Sequence, residues 1–269
     1  MPKSNKSFDG LNWSRYVMQR RINNGKSNCM KNDSQDIQPL KNVIILASPK
    51  GGTGKTTISI NLGRALQRQG FSVAIADLDS ATQSALRWVT AWRTQNPDAS
   101  AEPPVPSVTH FTEHVGRQLL QMANTNDVVI IDAGAGAPRQ NVEALRYASF
   151  VIIPTAPSPV DLRATFEMAN QMRYLAQINN GLPHCRILLN TVDMRKSSTQ
   201  QTIAQFMNSD LPVQPMRGVV PASESLVNSS ARGVSIYDYP GSTPALKQVF
   251  TALAGEVATI MNLSQRSTS

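Results

Sequence analysis

The sequence lacks the features of a disulfide-rich, metal-cluster or membrane-spanning protein. It has only two cysteines among 269 residues, Cys29 and Cys185, and they lie far apart with no metal-ligand spacing. A reduced, cytoplasmic protein is therefore expected. No apolar run approaches the roughly 20 residues that a membrane helix needs. The N-terminus also lacks the apolar segment of a signal peptide, so none is predicted.

Acidic residues are scarce as well. The chain contains 26 lysines and arginines against 18 aspartates and glutamates, which gives a formal net charge of +8. Seven basic and three acidic residues precede Lys41, so half of this net charge lies in a short N-terminal segment. An excess of positive charge implies an acidic partner, most simply a nucleic acid or an anionic surface.

The pattern of the chain predicts a short basic extension followed by one α/β domain. Residues 1–40 are polar and basic, with helical spacing only over residues 11–22, whereas residues 41–269 alternate strand and helix patterns. Strands are predicted at 43–48, 72–77, 127–132, 149–153, 186–190 and 217–220. Helices are predicted at 55–69, 81–93, 111–124, 138–147, 160–178, 197–209, 222–230 and 243–262, and a proline-rich surface loop at 94–108. Continuously apolar strands that alternate with helices predict a doubly wound, mostly parallel sheet covered on both faces.

A glycine-rich loop follows the first predicted strand and predicts phosphate binding. Its residues are Lys50, Gly51, Gly52, Thr53, Gly54, Lys55, Thr56 and Thr57. Glycines let the backbone N–H groups point inward, and the helix that begins after them favours an anion. Lys55 is expected to reach the β- and γ-phosphates and Thr56 to hold Mg²⁺. The standard pattern has glycine where Pro49 stands, so this loop is a variant with an additional lysine, Lys50.

Acidic residues end two further predicted strands. Asp77 and Asp79 close the second strand, and Asp132 closes a run of four apolar residues before Ala-Gly-Ala-Gly. Because ligands gather at the carboxyl ends of parallel strands, these carboxylates are expected beside the phosphates, where they can orient water or Mg²⁺. For Asp79 the alternative is an N-cap of the following helix.

Together these motifs resemble the ParA/MinD group of deviant Walker-type ATPases. The lysine-led loop 50–57, the Asp-x-Asp at 77–79 and Asp132 carry the resemblance, which covers about residues 42–262 and is strongest to the ParA branch, particularly its small ParF-like members. The family usually has Pro-Gln after its second acid, whereas Ser80, Ala81, Thr82 and Gln83 follow here.

The resemblance implies an ATPase that uses ATP and Mg²⁺ and forms a nucleotide-sandwich homodimer. Lys50 would reach the phosphates held by the other subunit, and Asp79 would position the attacking water. Asp77 would support the Mg²⁺ site together with Thr56 and Asp132. Asn190 resembles the family's adenine-contacting asparagine, with Pro221 flanking the base; the alternative for Asn190 is a strand-end turn residue.

The cargo of such an ATPase is open to four interpretations. The first is DNA partition at the nucleoid with a small ParB-like partner, in which the ATP-bound dimer binds DNA non-specifically. The candidate DNA contacts are Arg195, Lys196, Arg217, Arg232 and Lys247. The second is MinD-like membrane recruitment through the last helix, which is not favoured because that helix has only one cation, Lys247, on its polar face. The third, a relative of the nitrogenase iron protein, fails on the cysteine positions, and the fourth is positioning of a protein cargo.

Overall fold

The structure is a computed structural model that describes residues 38–135 and 138–265. The N-terminal helix pattern at 11–22 and Cys29 lie outside the described residues. The strands are β1 (Leu40–Leu46), β2 (Val73–Asp77), β3 (Ser107–His110), β4 (Val128–Asp132), β5 (Ala148–Thr155) and β6 (His184–Leu189). The helices are α1 (Lys55–Arg68), α2 (Ser84–Gln95), α3 (Val115–Thr125), α4 (Pro138–Leu145), α5 (Pro159–Ile178), α6 (Ser197–Met207), α7 (Glu224–Ala231) and α8 (Pro244–Met261).

The six strands form one parallel sheet in the order β3-β2-β4-β1-β5-β6, which confirms the predicted α/β fold. Successive residues of β1 pack into two separate hydrophobic cores, one on each face of the sheet, because side chains alternate across a strand. Val43 and Ile45 pack under α3, α4, α5 and α6, whereas Ile44 and Leu46 pack under α1, α2 and α8. The phosphate loop leaves β1 in the middle of this sheet, with Asp132 on the neighbouring strand β4.

Two predictions about strands were wrong. The segment 217–220 forms no strand, although Met216 and Val220 donate to the carbonyls of Ile187 and Leu189. Pro215 and Pro221 bound this segment and make only isolated bridges, because proline has no N–H for a continuous ladder. In contrast, β3 pairs with β2 at residues 107–110, where the sequence predicts the end of the surface loop 94–108 and no strand. It is a short edge strand with exposed alternate residues, so its sequence has little apolar signal.

The last helix, α8, packs on the sheet through its apolar side. Leu246, Phe250, Leu253 and Val257 are all buried in the core beside α1. Its N-cap is Thr243, whose hydroxyl accepts from the Leu246 amide, and proline follows in the first turn as the sequence predicts. Among the described residues, no helix has the length and apolar character that a bilayer crossing requires.

Candidate nucleotide and metal site

The phosphate loop forms the N-terminus of α1 through backbone conformations that suit glycine. Gly52 and Gly54 have φ of 73° and 86°, in the left-handed region. A Cβ on Gly54 would lie 2.2 Å from Nδ2 of Asn190, which donates to the Thr53 carbonyl at 2.8 Å. Gly54 is the N-cap and has no side chain, so the first-turn amides of α1 keep their capacity to bind an anion.

Lys55 lies inside the loop beside acidic residues. Its side chain is buried, and Nζ is 3.5 Å from the carbonyl oxygen of Lys50. Burial lowers the pKa of Lys55, and the charges of Asp132 and Asp79 oppose that effect. A buried ammonium next to inward-pointing amides can stabilise a bound phosphate strongly, because little water screens it.

Thr56 and Asp132 form the pair expected at a magnesium site. The Thr56 hydroxyl donates to Oδ2 of Asp132 at 2.7 Å, and the Ser59 hydroxyl donates to Oδ1 at 3.3 Å. Burial raises the pKa of Asp132 to about 7, with a smaller upward effect from Asp77, while the Thr56 bond and Lys55 lower it. Hydroxyl and carboxylate oxygens are the ligands that Mg²⁺ prefers, so these residues fit the ion.

Asp77 and Asp79 follow each other in the chain but have different surroundings. Asp77 is fully buried, and its carboxylate accepts from the amides of Asp79, Ala85 and Leu86 at 2.9 to 3.0 Å. It therefore joins the end of β2 to the first turn of α2. Its predicted support of Mg²⁺ stays a prediction, since these bonds already engage both carboxylate oxygens.

Asp79 is half-buried and held in a fixed orientation. Oδ1 accepts from the amides of Ala81 and Thr82, and Oδ2 accepts from the Thr82 hydroxyl at 2.6 Å. Burial alone would raise the pKa of Asp79, but the Thr82 and Ala81 hydrogen bonds and the charge of Lys55 hold it below its usual value. The carboxylate therefore stays ionised at neutral pH and can accept a hydrogen bond from water.

Asp79 also packs directly against the turn that follows β4. A Cβ on Gly134 would lie 2.6 Å from Cα of Asp79 and 2.9 Å from the Leu78 carbonyl oxygen. Asn141 of α4 donates to the Gly134 carbonyl at 2.6 Å and fixes this turn from the other side. Sequence reasoning missed Asn141, and no motif marks it.

Lys50 lies at the mouth of the loop and pairs with an acid outside it. Its ammonium contacts the carboxylate of Asp161 in the first turn of α5, and the two side chains are 42% and 23% exposed. The hydrogen bond from Lys50 lowers the pKa of Asp161. Sequence reasoning missed Asp161, although Ser158 and Asp161 have the spacing of a capping box and share a 2.6 Å hydrogen bond.

A cavity of about 660 Å³ extends from the phosphate loop to α2 and α7. Asp79 and Thr82 line one part of it, and Arg87, Trp88 and Ser230 line the distant part. Asn190 and Pro221 lie outside this lining. They are close in the fold, however, because Val192 donates to the carbonyl of Val220. In the structure Asn190 contacts the phosphate loop, and its predicted adenine contact stays a prediction.

The candidate DNA contacts do not form one group. The Arg195 guanidinium pairs with Asp193, Lys196 precedes the first turn of α6, and the Arg217 amide donates to Glu256. In contrast, the Arg232 guanidinium lies over the Tyr239 ring, and Lys247 donates to the carbonyl of nearby Tyr237. The structure thus brings two of the five candidates together.

Comparison with known proteins agrees with this geometry. A family model described as the CobQ/CobB/MinD/ParA nucleotide binding domain matches residues 44–236. The Maintenance of carboxysome distribution protein A of Halothiobacillus neapolitanus is 29% identical over 196 residues, which cover 72% of this chain and 86% of that protein. Protein ParA of Rhizobium radiobacter is 29% identical over 123 residues, covering 44% of this chain and 50% of that protein. The septum site-determining protein MinD of Pyrococcus horikoshii, solved with Mg-ADP, has a TM-score of 0.60 at 20% identity and covers 81% of this chain and 96% of its own.

Proposed function

Because the chain belongs to the CobQ/CobB/MinD/ParA nucleotide-binding family, we propose that it is an ATPase for DNA partition. In this proposal Mg-ATP drives a sandwich homodimer, and the dimer binds DNA without sequence preference. Slow hydrolysis to ADP and phosphate, stimulated by a small ParB-like partner, then resets the cycle. Repeated cycles would segregate plasmid or chromosomal DNA at the nucleoid in the cytoplasm. The similarity to the Rhizobium ParA protein supports partition as the purpose.

The observation that carries the proposal is the position of Lys50. Lys55 is buried in its own loop and would supply an ammonium to the phosphates held there. Lys50 lies at the exposed mouth, where it pairs with Asp161 rather than entering the loop. A lysine in this position can reach a phosphate chain held by a second subunit, so ATP would bind more tightly when two copies meet. Nucleotide binding and dimerisation are then linked by mutual stabilisation.

The remaining residues supply the chemistry of hydrolysis. Thr56 and Asp132 would hold Mg²⁺, which neutralises phosphate charge when bound. The ionised Asp79 would orient a water for attack on the γ-phosphate, and its hydrogen bonds from Thr82 keep it in place. Asp77 would serve the site by fixing the Asp79 turn through its amide contacts. The closely packed turn at Gly134 would restrict the space around the γ-phosphate.

The test is the substitution Lys50→Ala, with Lys41→Ala as the matched control. Lys41 is an exposed lysine on β1, far along the strand from the loop. Lys50→Ala should abolish phosphate release and ATP-dependent dimerisation, measured by light scattering with Mg-ATP, while Lys41→Ala leaves both intact. Unchanged hydrolysis and dimerisation in the Lys50→Ala protein would contradict the assigned role.

Positioning of a protein cargo is a second candidate, which the similarity to the carboxysome distribution protein favours. The same ATPase cycle would serve it, so the cargo alone separates the two functions. Deleting the gene should cause plasmid or chromosome loss if the protein partitions DNA, and a mislocalised protein assembly if it positions cargo. Membrane recruitment is not favoured, since α8 uses its apolar side for the core. Co-sedimentation with liposomes in the presence of ATP would detect it.

A further inference from the structure

We infer that the DNA-contacting surface of the protein is a cationic cluster built on the segment that follows α7. It consists of Arg64, Arg68, Arg232, Tyr237, Tyr239 and Lys247, which we call the cationic loop surface. This inference rests on the proposed function and deepens it, because it assigns the DNA contacts to particular residues. Neither Arg64 nor Arg68 belongs to a sequence motif, and both come from α1, the helix that starts at the phosphate loop.

Two tyrosine rings hold two of the guanidinium groups at the surface. The Arg68 guanidinium lies 5.1 Å from the centre of the Tyr237 ring, and that of Arg232 lies 5.4 Å from the centre of the Tyr239 ring. Both arginines are exposed, whereas both rings are half-buried. Stacking on a ring limits the freedom of a guanidinium but leaves its N–H groups available, so less entropy is lost when they bind phosphate.

The charge of this surface is strongly positive. It contains four cationic side chains, and within the segment 232–240 the one carboxylate is Asp238. Asp238 contacts Arg64 at two points of 3.1 Å and also accepts from the Ser235 hydroxyl. Lys247 donates to the Tyr237 carbonyl at 3.2 Å and so stays beside the rings. Arg68 and Arg232 have no ion pair within the described residues, which leaves their charge to an external anion.

The segment that carries the tyrosines is hydrogen-bonded to α1 and to α2, the two helices that border the nucleotide site. Asn61 of α1 accepts from the Ile236 amide at 2.9 Å and donates to the carbonyl of Thr57, a residue of the phosphate loop, at 2.8 Å. On the other side, Trp88 of α2 donates to the Val234 carbonyl at 3.1 Å. A displacement of α1, which begins at the phosphate loop, or of α2 can therefore shift the rings and the arginines that rest on them.

Close backbone packing strengthens the connection to α2. Gly233 has a φ of 66°, and a Cβ there would lie 2.3 Å from the Trp88 carbonyl oxygen and from the Trp92 amide nitrogen. The segment thus has no space to move independently of α2. This packing gives a physical route by which ATP could control DNA affinity without contacting DNA.

The experiment measures DNA affinity of the full chain with Mg-ATP as a function of salt, using a duplex of random sequence. Each lost phosphate contact should reduce the slope of log affinity against log salt by about one. The double variant Arg68→Gln/Arg232→Gln should bind roughly tenfold more weakly and with a shallower slope. The matched control is Arg93→Gln/Arg163→Gln, which removes two exposed arginines outside the surface. Its DNA affinity and its salt slope should both stay close to those of the wild type.

The outcomes separate this inference from the proposed function. ATP binding by the double variant should equal that of the wild type, which shows that the fold is intact. If the wild type binds DNA and the double variant matches it in affinity and slope, the surface is wrongly assigned but partition stands. If the wild type does not bind DNA at all, both fail. If the double variant keeps DNA binding but loses binding to phosphatidylglycerol vesicles, the surface recognises anionic lipid and the inference is overturned.

Discussion

The ammonium of Lys50 contacts the carboxylate of Asp161 within one subunit. Asp161 belongs to the first turn of α5, where the Ser158 hydroxyl also donates to it. If Lys50 acts on the nucleotide of a second subunit, it must first leave this carboxylate. The ion pair then opposes dimerisation, because its interaction is lost when Lys50 moves to the phosphates.

The substitution Asp161→Asn should therefore favour the ATP-bound dimer. Both side chains are partly exposed and screened by solvent, so each pair contributes at most about 1 kcal/mol. A symmetric dimer loses two such pairs, which corresponds to at most roughly thirtyfold in dimer affinity. We expect dimerisation with Mg-ATP to need up to about thirtyfold less protein, as measured by light scattering across a concentration series. The double variant Lys50→Ala/Asp161→Asn should stay monomeric, and a weaker dimer in Asp161→Asn alone would refute the interpretation.

The substitution Gly134→Ala should impair hydrolysis more than folding. The added methyl group would meet the Asp79 backbone at 2.6 Å, so the turn or Asp79 must shift. Small displacements of positioning groups reduce catalysis strongly, and we expect turnover to fall by roughly tenfold to a hundredfold. The measurement is steady-state phosphate release, with ATP affinity determined separately to detect a binding defect.

The control for this variant is Gly255→Ala on α8. A Cβ at Gly255 meets no atom within 4 Å, so the added methyl group is accommodated. Alanine in a helix interior is more stable than glycine by about 0.5–1 kcal/mol. The control should raise the melting temperature slightly and leave turnover unchanged, and equal loss of activity in both variants would contradict the packing argument.

The sequence predicted the parts of the site that lie on contiguous motifs. The structure brings the phosphate loop, Asp79 and Asp132 together as expected, because each follows an apolar strand and the carboxyl ends of these strands meet at one sheet edge. The predicted sheet was correct for five of its strands for the same reason. The strand predicted at 217–220 and the missed β3 were wrong because strand pairing depends on neighbouring segments as well as on the local pattern. Prolines limit the pairing near 217–220 to isolated bridges, and β3 lies at an exposed sheet edge.

Contacts between distant segments could not be predicted. Asp161 is 111 residues from Lys50, and Asp238 is 174 residues from Arg64. Neither pair has a local pattern that relates its members, so only the tertiary arrangement brings them together. The same holds for Tyr237 and Tyr239, which support Arg68 and Arg232. Nothing in the local sequence distinguishes these tyrosines from other residues of a C-terminal loop.

A substitution of Asn190 can separate its two interpretations. Its side-chain amide donates to the Thr53 carbonyl, so Asn190→Ala removes a hydrogen bond that stabilises the ordered conformation of the phosphate loop by about 1 kcal/mol. If Asn190 serves only to hold the loop, ATP and inosine triphosphate should both bind about fivefold more weakly. If it also contacts the adenine amino group, the affinity for ATP should fall further than the affinity for inosine triphosphate. Titration of both nucleotides against wild type and variant measures the difference.

The nucleotide-free protein should become less stable as Asp132 ionises. Burial raises the pKa of Asp132 from its ordinary value of 3.8 to about 7, so between these pH values the folded chain retains a proton that the unfolded chain has lost. The stabilisation from the protonated Asp132 is fully present below the pKa of the unfolded chain, and it is lost as the pH rises through the pKa of the folded chain. The free energy of unfolding of the wild type, relative to Asp132→Asn, should therefore fall between about pH 4 and about pH 7 and level off above that.

Chemical denaturation at several pH values without nucleotide or Mg²⁺ tests this prediction. The asparagine variant cannot ionise at this position, so subtracting its pH profile removes the contributions of the other groups that titrate equally in both proteins. In the folded wild type the Thr56 and Ser59 hydroxyls donate to different carboxylate oxygens. In the asparagine variant one hydroxyl can donate to the amide oxygen and the other can accept from the amide NH2, which keeps the packing of the site comparable. A flat or rising difference would mean that Asp132 is already ionised in the folded, nucleotide-free protein. Adding Mg²⁺ with ADP should flatten the difference, because a bound cation stabilises the ionised carboxylate and lowers its pKa.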